Sequence, residues 1–308
     1  MCSIWRAVLL CLVFVGVVCG CTPAPKAETG KLNVVSTVGM VNYLVKEIGG
    51  PHVTSVALMG PGIDPHLYRA TAGDVTKLES ADLVLYVGLE LEGRMTEIFE
   101  KMVQGGKPTV AVAKDIPESL LREVPGFAGK FDPHIWFDVT LWQQVARTVA
   151  AALVANDPKH EADYVANAAK LDAKLKALDQ ETMAALATIP KPNRVLVTAH
   201  DAFGYFGRRY GLEVVGIQGT STAAEAAAGS IRRVADLIAD RKVKSIFVET
   251  SVPPATIEAL QQAVRSRGWD VKIGGKLYSD AMGQDGTADG TYPGMVQHNV
   301  HTIVEALK

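Results

Sequence analysis

The sequence predicts an α/β protein with two lobes, each a roughly four-stranded parallel sheet covered by helices, linked by one long rigid helix. Short apolar runs rich in β-branched residues alternate with helical patterns in both halves of the chain, which is typical of parallel sheets covered by helices. Between the halves, residues 159–189 have helical composition and hardly a breaker. The length of 308 residues favours two domains.

The first half, predicted as a domain over residues 32–157, contains four runs that indicate strands. These runs are Leu32–Val38, Val53–Leu58, Leu83–Val87 and Thr109–Val112. Helical spacing of apolar residues predicts helices at Met40–Ile48, Ala72–Leu78 and Leu91–Met102. Because helices separate the strands, the strands are expected to run parallel.

The second half, predicted as a domain over residues 191–308, repeats this alternation. Its predicted strands are Arg194–Thr198, Glu213–Gly216, Ser245–Val248 and Val271–Ile273. Its predicted helices are Ala202–Tyr210, Glu225–Asp240, Pro254–Arg267 and Gly294–Leu307.

The linking helix is predicted over residues 158–190. It follows Asn156-Asp157-Pro158 and ends at Pro190-Lys191-Pro192, as expected when proline limits a helix. Its apolar positions lie three to seven residues apart and are Tyr164, Leu171, Leu175, Leu178 and Met183. At about 1.5 Å per residue such a helix is roughly 45 Å long and can tie two lobes together along one side. A coiled coil needs more sustained heptads.

Residues 1–20 are predicted to be a secretory signal peptide. Arg6 precedes the apolar run Ala7–Val18, which is too short to span a bilayer but suits a signal sequence. The run ends at Val18-Cys19-Gly20-Cys21, which resembles a lipoprotein cleavage site. Cleavage before Cys21 would leave that cysteine lipidated, with residues 21–31 as a tether. An N-terminal transmembrane anchor is the alternative.

Cysteine positions and charge exclude several other classes of protein. The four cysteines are Cys2, Cys11, Cys19 and Cys21, so the mature chain keeps one and has no disulfide or multi-thiolate metal site. Lys and Arg total 31 against 33 Asp and Glu. This balance offers no basic field for nucleic acid, and no nucleic-acid partner is expected.

The tripeptide Asp-Pro-His occurs at Asp64-Pro65-His66 and at Asp132-Pro133-His134. Proline restricts its own backbone and the residue before it, so each histidine is presented from a stiff loop. Parallel sheets bind ligands at the carboxyl ends of their strands. Two further candidates, His200 and Asp280, follow predicted strands of the second half. His66 and His134 come from the first half, so all four meet only if the halves face one another.

Three imidazoles and one carboxylate suit Zn²⁺, Mn²⁺ or Fe²⁺, whereas Ca²⁺ and Mg²⁺ prefer oxygen ligands. Taken singly, each residue has another explanation: a hydrogen-bonded loop histidine, or an aspartate that caps a helix. Matching placement in two similar halves favours a common site. Asp138 and Asp201 are candidate acceptors for the imidazole N–H groups.

Four segments that contain these residues resemble the metal-ligand motifs of a known family. They are Met59–His66, Asp132–Trp136, Val197–Phe203 and Ser279–Gly283. They look like those of the bacterial zinc/manganese solute-binding proteins of the TroA-like type, the extracytoplasmic receptors of metal-uptake ABC transporters. The likeness runs from about residue 31 to the C-terminus, with all four motifs in order.

The resemblance implies two α/β lobes joined by one rigid helix, a metal ion buried between them, and ligands at His66, His134, His200 and Asp280. It also implies capture of the ion outside the cytoplasm, in the periplasm or at the membrane surface, and delivery to an ABC permease. Manganese-selective relatives often carry Glu where this chain has His200, and zinc-selective relatives often carry a His-rich loop that is absent here. The identity of the metal stays open.

The leading hypothesis is therefore a lipid-anchored, monomeric metal receptor without catalytic activity. A zinc-dependent hydrolase is the rival, but catalytic zinc usually keeps an open position beside three protein ligands. Four ligands would close the site here, and the sequence has no His-Glu-x-x-His helix. A surface adhesin stabilised by metal is a third hypothesis with the same fold.

Overall fold

The first half of the chain is built on a four-stranded parallel sheet with the order β2-β1-β3-β4. The computed structural model describes residues 30–124, 127–224 and 226–308. The strands are β1 (Leu32–Ser36), β2 (Val53–Ala57), β3 (Leu83–Tyr86) and β4 (Thr109–Ala111). Val34 and Val84 on the central strands are fully buried, as expected for a sheet covered on both faces.

Three predicted helices lie between these strands, and a fourth follows them. They are α1 (Gly39–Gly49), α2 (Ala72–Ser80), α3 (Thr96–Gln104) and α4 (Val139–Asn156). Thr71 and Asp74 form a reciprocal capping box that begins α2, and the Asp138 carboxylate accepts from backbone N–H groups at the start of α4. Such caps satisfy amides that have no partner inside the helix.

The third helix begins five residues later than the apolar pattern predicts, at Thr96 and not at Leu91. Leu89 and Glu90 both have positive φ, 54° and 64°, so the chain turns sharply after β3. The buried Glu92 carboxylate fixes this turn by accepting from the backbone N–H groups of Val87 and Gly88, at 2.8 and 3.2 Å. Because residues with positive φ cannot belong to an α-helix, α3 begins only after this turn.

A short antiparallel hairpin precedes α4 and was not predicted. It consists of β5 (Glu123–Val124) and β6 (Phe127–Phe131), with an irregular register. One strand has only two residues, and the other contains Gly129 at φ 76°. The first strand is too short to show an alternation, and glycine and lysine interrupt the apolar pattern of the second.

The long helix α5 (Glu161–Ala187) follows a 3-10 turn at Pro158–His160. Leu171, Leu175 and Leu178 are buried as predicted, whereas Met183 is 43% exposed. The helix contacts α1 and α4 of the first half (residues 32–157). It therefore covers one side of the first half along much of its length.

The second half (residues 191–308) contains four strands in two parallel pairs, β7 with β8 and β9 with β10. The strands are β7 (Val195–Thr198), β8 (Glu213–Gly216), β9 (Ser245–Glu249) and β10 (Lys272–Leu277). Strand β7 lies beside β9. The helices are α6 (Gly204–Tyr210), α7 (Ala228–Arg241), α8 (Ala255–Arg265) and α9 (Tyr292–Leu307), and α5 contacts both α6 and α9.

Strand β10 continues four residues beyond its predicted end at Ile273. The register shifts between Ile273 and Gly275, and Gly275 has φ 146°. A side chain at Gly274 would overlap Ala306 of α9. The two glycines thus allow the strand to bend beneath α9. Because glycine has no side chain, they also interrupt the apolar pattern that would have predicted the rest of the strand.

Among the residues that the structure describes, one large apolar cluster extends across both halves. It joins first-half residues such as Trp136 to Phe247, Leu277 and Tyr292 of the second half. A smaller cluster lies within the second half, around Val197, Ile246 and Leu260. The predicted α/β class with parallel sheets and a long helix is confirmed, and residues 31–308 form one compact unit; the lobe boundaries stay a prediction.

The predicted signal peptide and the proposed lipidation site at Cys21 lie outside the described residues. Within the described ranges, no helix combines the length and apolar character needed to cross a bilayer.

Candidate metal centre

The structure brings the four predicted residues together into one buried group, here called the His–Asp cluster: His66, His134, His200 and Asp280. Each follows a strand or opens a helix, as predicted. One ligand atom from each side chain lies within 4.8 Å of all the others. The four side chains are between 0% and 5% exposed, so the cluster is nearly closed to solvent.

Both Asp-Pro-His loops position their histidine in the same way. The Asp64 carboxylate accepts from the backbone N–H of His66 at 2.9 Å, and the Asp132 carboxylate accepts from that of His134 at 3.0 Å. This local turn is a common use of aspartate, and the intervening proline restricts the backbone further. The repeat in the sequence is therefore a repeated loop conformation.

The donor atoms are spaced for a small ion with four ligands. His134 Nε2 lies 3.3 Å from His66 Nε2, 3.4 Å from His200 Nε2 and 3.2 Å from Asp280 Oδ1. His200 Nε2 lies 3.3 Å from Asp280 Oδ2. A tetrahedral zinc site with Zn–N bonds of about 2.0–2.1 Å has ligand atoms about 3.3–3.4 Å apart. These four separations match that geometry, and all the donor atoms lie within 4.8 Å of one another.

The chemistry of the donors also fits a divalent ion. Asp280 Oδ1 is buried and makes no well-formed hydrogen bond, although the Nε2 atom of His134 lies 3.2 Å away. A buried carboxylate oxygen that lacks a well-formed hydrogen bond is costly, and an ion at the centre of the cluster would satisfy it. Within the described part of the chain, this is the only such group of His, Cys, Asp or Glu side chains.

A carboxylate behind the ring fixes the orientation of His134. Asp132 Oδ1 lies 2.7 Å from His134 Nδ1, and a proton on Nδ1 directs the Nε2 lone pair toward the cluster. Burial lowers the pKa of His134, but Asp132 and then Asp280 outweigh it and raise this pKa to about 9. Without a metal ion, this imidazole is held as a cation between two carboxylates.

Glu249, at the end of β9, places a carboxylate beside the ring of His200. Glu249 Oε2 lies 2.6 Å from His200 Nδ1, while Oε1 accepts from the backbone N–H of His200 at 2.9 Å. Burial lowers the pKa of His200, but Glu249 and Asp280 raise it well above its ordinary value. Burial would likewise raise the pKa of Asp280, but the two histidines hold it well below its ordinary value.

His66 differs from the other two histidines. Burial, only partly offset by Asp280, lowers its pKa to about 3, so its imidazole is neutral and available to a metal ion at physiological pH. It also lines a cavity of about 460 Å³, together with Glu90, Lys130, Phe131 and Thr220. His66 is thus the ligand that faces the approach to the cluster.

The predicted acceptors for the imidazole N–H groups were wrong. Asp138 caps α4, and Asp201 pairs with Arg122 at 2.9 Å. The carboxylates beside the imidazole Nδ1 atoms belong instead to Asp132 and Glu249. Asp132 could have been found from its place in the Asp-Pro-His motif. Nothing in the sequence around Glu249 indicates its role, because it lies beside His200 only when β7 and β9 are neighbours in the folded protein.

Comparison with known proteins identifies the family. Residues 34–306 match the family model of ZnuA, described as the zinc-uptake complex component A, periplasmic. This match covers most of the chain. The chain belongs to the ZnuA family. The family resemblance inferred from the four motifs is therefore confirmed.

Individual members of the ZnuA family resemble this chain over nearly its whole length. It is 46% identical over 301 residues to the zinc-binding protein TroA of Treponema pallidum, covering 96% of this chain and 97% of that protein. It is 43% identical over 291 residues to the manganese-binding lipoprotein MntA of Bacillus subtilis, covering 94% of each. A solved structure of the periplasmic zinc-binding protein TroA from Treponema pallidum superposes with a TM-score of 0.88 at 48% identity, covering 90% of this chain and 99% of that one.

Proposed function

We propose that this protein is an extracytoplasmic receptor that captures a divalent transition-metal ion in the His–Asp cluster and delivers it to an ABC permease for uptake. The ion is the cargo, and the chemistry is coordination. The observation that carries this proposal is the convergence of three imidazole nitrogens and one carboxylate in a buried position, with four of the separations between their donor atoms at 3.2–3.4 Å.

Zn²⁺ and Mn²⁺ are the proposed cargoes, with Fe²⁺ as a further candidate. Imidazole and carboxylate donors serve all three ions, but a compact four-ligand geometry suits Zn²⁺ best, and Zn²⁺ also binds more tightly than Mn²⁺ at most such sites. Relatives at similar identity are named for zinc and for manganese. Selectivity in the cell then depends on which ion is available.

A binding role is favoured over the hydrolase hypothesis by the closed arrangement of the cluster. A hydrolytic zinc site needs a coordination position for water, whereas Asp280 and the three histidines leave a tetrahedral ion none. All four side chains are at most 5% exposed, so a polymeric substrate could not reach the ion without a large rearrangement.

Release of the ion is proposed to need only small movements. The apolar cluster shared by the two halves would be exposed by a wide opening, which is costly at about 25 cal/mol per Å². Shifts of the loops that carry His66 or Asp280 would open the coordination shell without exposing that core. We further propose a monomer that is anchored through lipid at Cys21 and does not bind nucleic acid.

Metal analysis of the purified protein tests the proposed site. Wild-type protein should bind one ion, whereas His66→Ala, His200→Ala and Asp280→Ala should each lose most of it. His301→Ala is the matched control, because His301 is exposed on α9 and lines a groove with Leu178 and Thr182 of α5. Full metal content in all three site variants would contradict the proposal.

Uptake and anchoring are tested in cells. A strain without this protein should take up less of the metal, and wild-type protein but not Asp280→Ala should restore uptake. Cys21→Ser should release the protein from the membrane fraction. Normal uptake with Asp280→Ala would refute the receptor role, and unchanged membrane association of Cys21→Ser would refute the lipid anchor alone.

A further inference from the structure

Arg122 lies outside the His–Asp cluster but connects the loops that carry two of its histidines. Its Nη1 atom donates to Asp132 Oδ2 at 2.6 Å, and its Nη2 atom donates to Asp201 Oδ2 at 2.9 Å. Asp132 belongs to the first half and holds the ring of His134. Asp201 belongs to the second half and directly follows His200 in the chain.

The two carboxylates depend on this guanidinium. The Asp132 side chain is fully buried and the Asp201 side chain is 17% exposed. Oδ1 of Asp132 already serves His134, so Oδ2 needs a different donor. A guanidinium can bind two carboxylates in fixed directions at once, which an ammonium does far less well.

The surrounding residues are arranged to keep Arg122 in this position. Its backbone N–H donates to the Tyr205 hydroxyl at 2.9 Å, and that hydroxyl donates to the backbone carbonyl of Asp132, also at 2.9 Å. At Gly204, any side chain would overlap the Arg122 guanidinium. Glycine at this position leaves the space that the guanidinium occupies.

We propose that Arg122 is a positioning residue that holds the His134 loop of the first half against the His200 loop of the second half and so sets how long a bound metal ion stays. This inference rests on the proposed metal-receptor function. While both ion pairs are intact, His134 and His200 keep the separation that a four-coordinate ion requires. When either ion pair of Arg122 breaks, the His134 loop and the His200 loop move independently, and the metal ion dissociates faster from the His–Asp cluster.

The rate of metal release tests this proposal. Zn²⁺-loaded protein is mixed with an excess of a chromogenic chelator, and the appearance of the chelator complex is followed by stopped flow. Loss of groups that orient metal-binding histidines typically weakens metal binding about 10- to 100-fold. We expect Arg122→Ala to release Zn²⁺ faster by a factor of that size, and Arg122→Lys to release it at an intermediate rate.

Gly204→Ala supplies a second variant that keeps the arginine and its charge. Its methyl group should displace the guanidinium and accelerate release in the same direction. Arg209→Ala is the matched control: Arg209 also donates twice to one aspartate, Asp179, at 3.0 and 2.5 Å across two elements, but does not contact the His–Asp cluster. It should lower thermal stability without changing the release rate.

Visible absorption of the Co²⁺-loaded proteins separates positioning from general stability. The Co²⁺ bands report the ligand geometry, so they should shift in Arg122→Ala and Gly204→Ala but not in Arg209→Ala. Release from Arg122→Ala at the wild-type rate with an unchanged spectrum would overturn the inference, as would equal acceleration in Arg209→Ala. If wild-type protein bound no ion at all, the proposed function would fail and this inference with it.

Discussion

Replacing Glu249 by glutamine changes one atom of a buried side chain and is expected to weaken metal binding. Glu249 serves His200 twice, since Oε1 accepts from its backbone N–H at 2.9 Å and Oε2 lies 2.6 Å from its Nδ1 atom. An amide has only one oxygen. If that oxygen faces the backbone N–H, the NH₂ group faces Nδ1 and favours the tautomer whose Nε2 carries a proton and cannot bind metal.

The other orientation of the glutamine is no better. With its oxygen toward Nδ1, its NH₂ group faces the backbone N–H of His200, and a hydrogen bond to a charged group is lost. Such bonds contribute about 1.5–3 kcal/mol to the fold, and their loss would release the ring of His200 from its orientation. Loss of a group that orients a metal-binding histidine typically weakens metal binding about 10- to 100-fold, so we expect Glu249→Gln to bind Zn²⁺ more weakly than the wild type by a factor of that size.

Competition with a chelator of known affinity measures this change. Glu213→Gln is the control, because Glu213 lies on β8 of the same half and pairs at the surface with Arg241 at 2.7 Å. Exposed pairs contribute little, and this one does not contact the His–Asp cluster. If Glu249→Gln folded normally and bound Zn²⁺ as tightly as Glu213→Gln, Glu249 would not control His200.

Three other predictions concern pH and stability. Zn²⁺ binding should weaken as the pH falls from 8 to 6, because His134, with its metal-free pKa raised to about 9, must lose a proton to bind; a constant affinity in buffered titrations would contradict this. Asp74→Asn should lower the free energy of unfolding by about 1 kcal/mol at pH 7. Burial would raise the pKa of Asp74, but hydrogen bonds from Thr71 and Tyr68 outweigh it and lower this pKa. The stabilisation by Asp74 is therefore present above the pKa of the unfolded state and is lost as the pH falls through the pKa of the folded state. Urea titrations should show a smaller difference in unfolding free energy between wild type and Asp74→Asn in acid than at pH 7. Leu175→Ala, at a fully buried position of α5, should cost about 2–5 kcal/mol, and a loss below 1 kcal/mol in the same urea assay would refute its role in packing.

The sequence predicted the His–Asp cluster well because its residues lie in short motifs with local physical causes. Each Asp-Pro-His loop is fixed by its own aspartate and proline, within three residues. His200 and Asp280 follow strands whose apolar runs are visible in the sequence. Once the parallel sheets are recognised, the carboxyl ends of those strands are the expected place for a ligand.

The groups that support the cluster could not be predicted, because each depends on tertiary contacts between distant segments. Glu249 is 49 residues from His200, and Arg122 is 79 residues from Asp201. Neither lies in a motif that distinguishes it from an ordinary charged residue. The hairpin β5–β6 was missed for a different reason, since its pairing involves too few residues to produce a pattern.

The apolar cluster that joins the two halves limits how proteins of this kind can recombine. Trp136 donates through Nε1 to the backbone carbonyl of Ser279 at 3.0 Å, and Tyr292 donates back to the carbonyl of Trp136 at 2.6 Å. A chimaera that joined residues 1–170 of this chain to the remainder of a distant relative would bring together two core surfaces that had not evolved as partners. A chimaera is therefore expected to fold only when both parent proteins share these contacts. Substitutions in one half should accordingly be matched by substitutions in the other half during evolution.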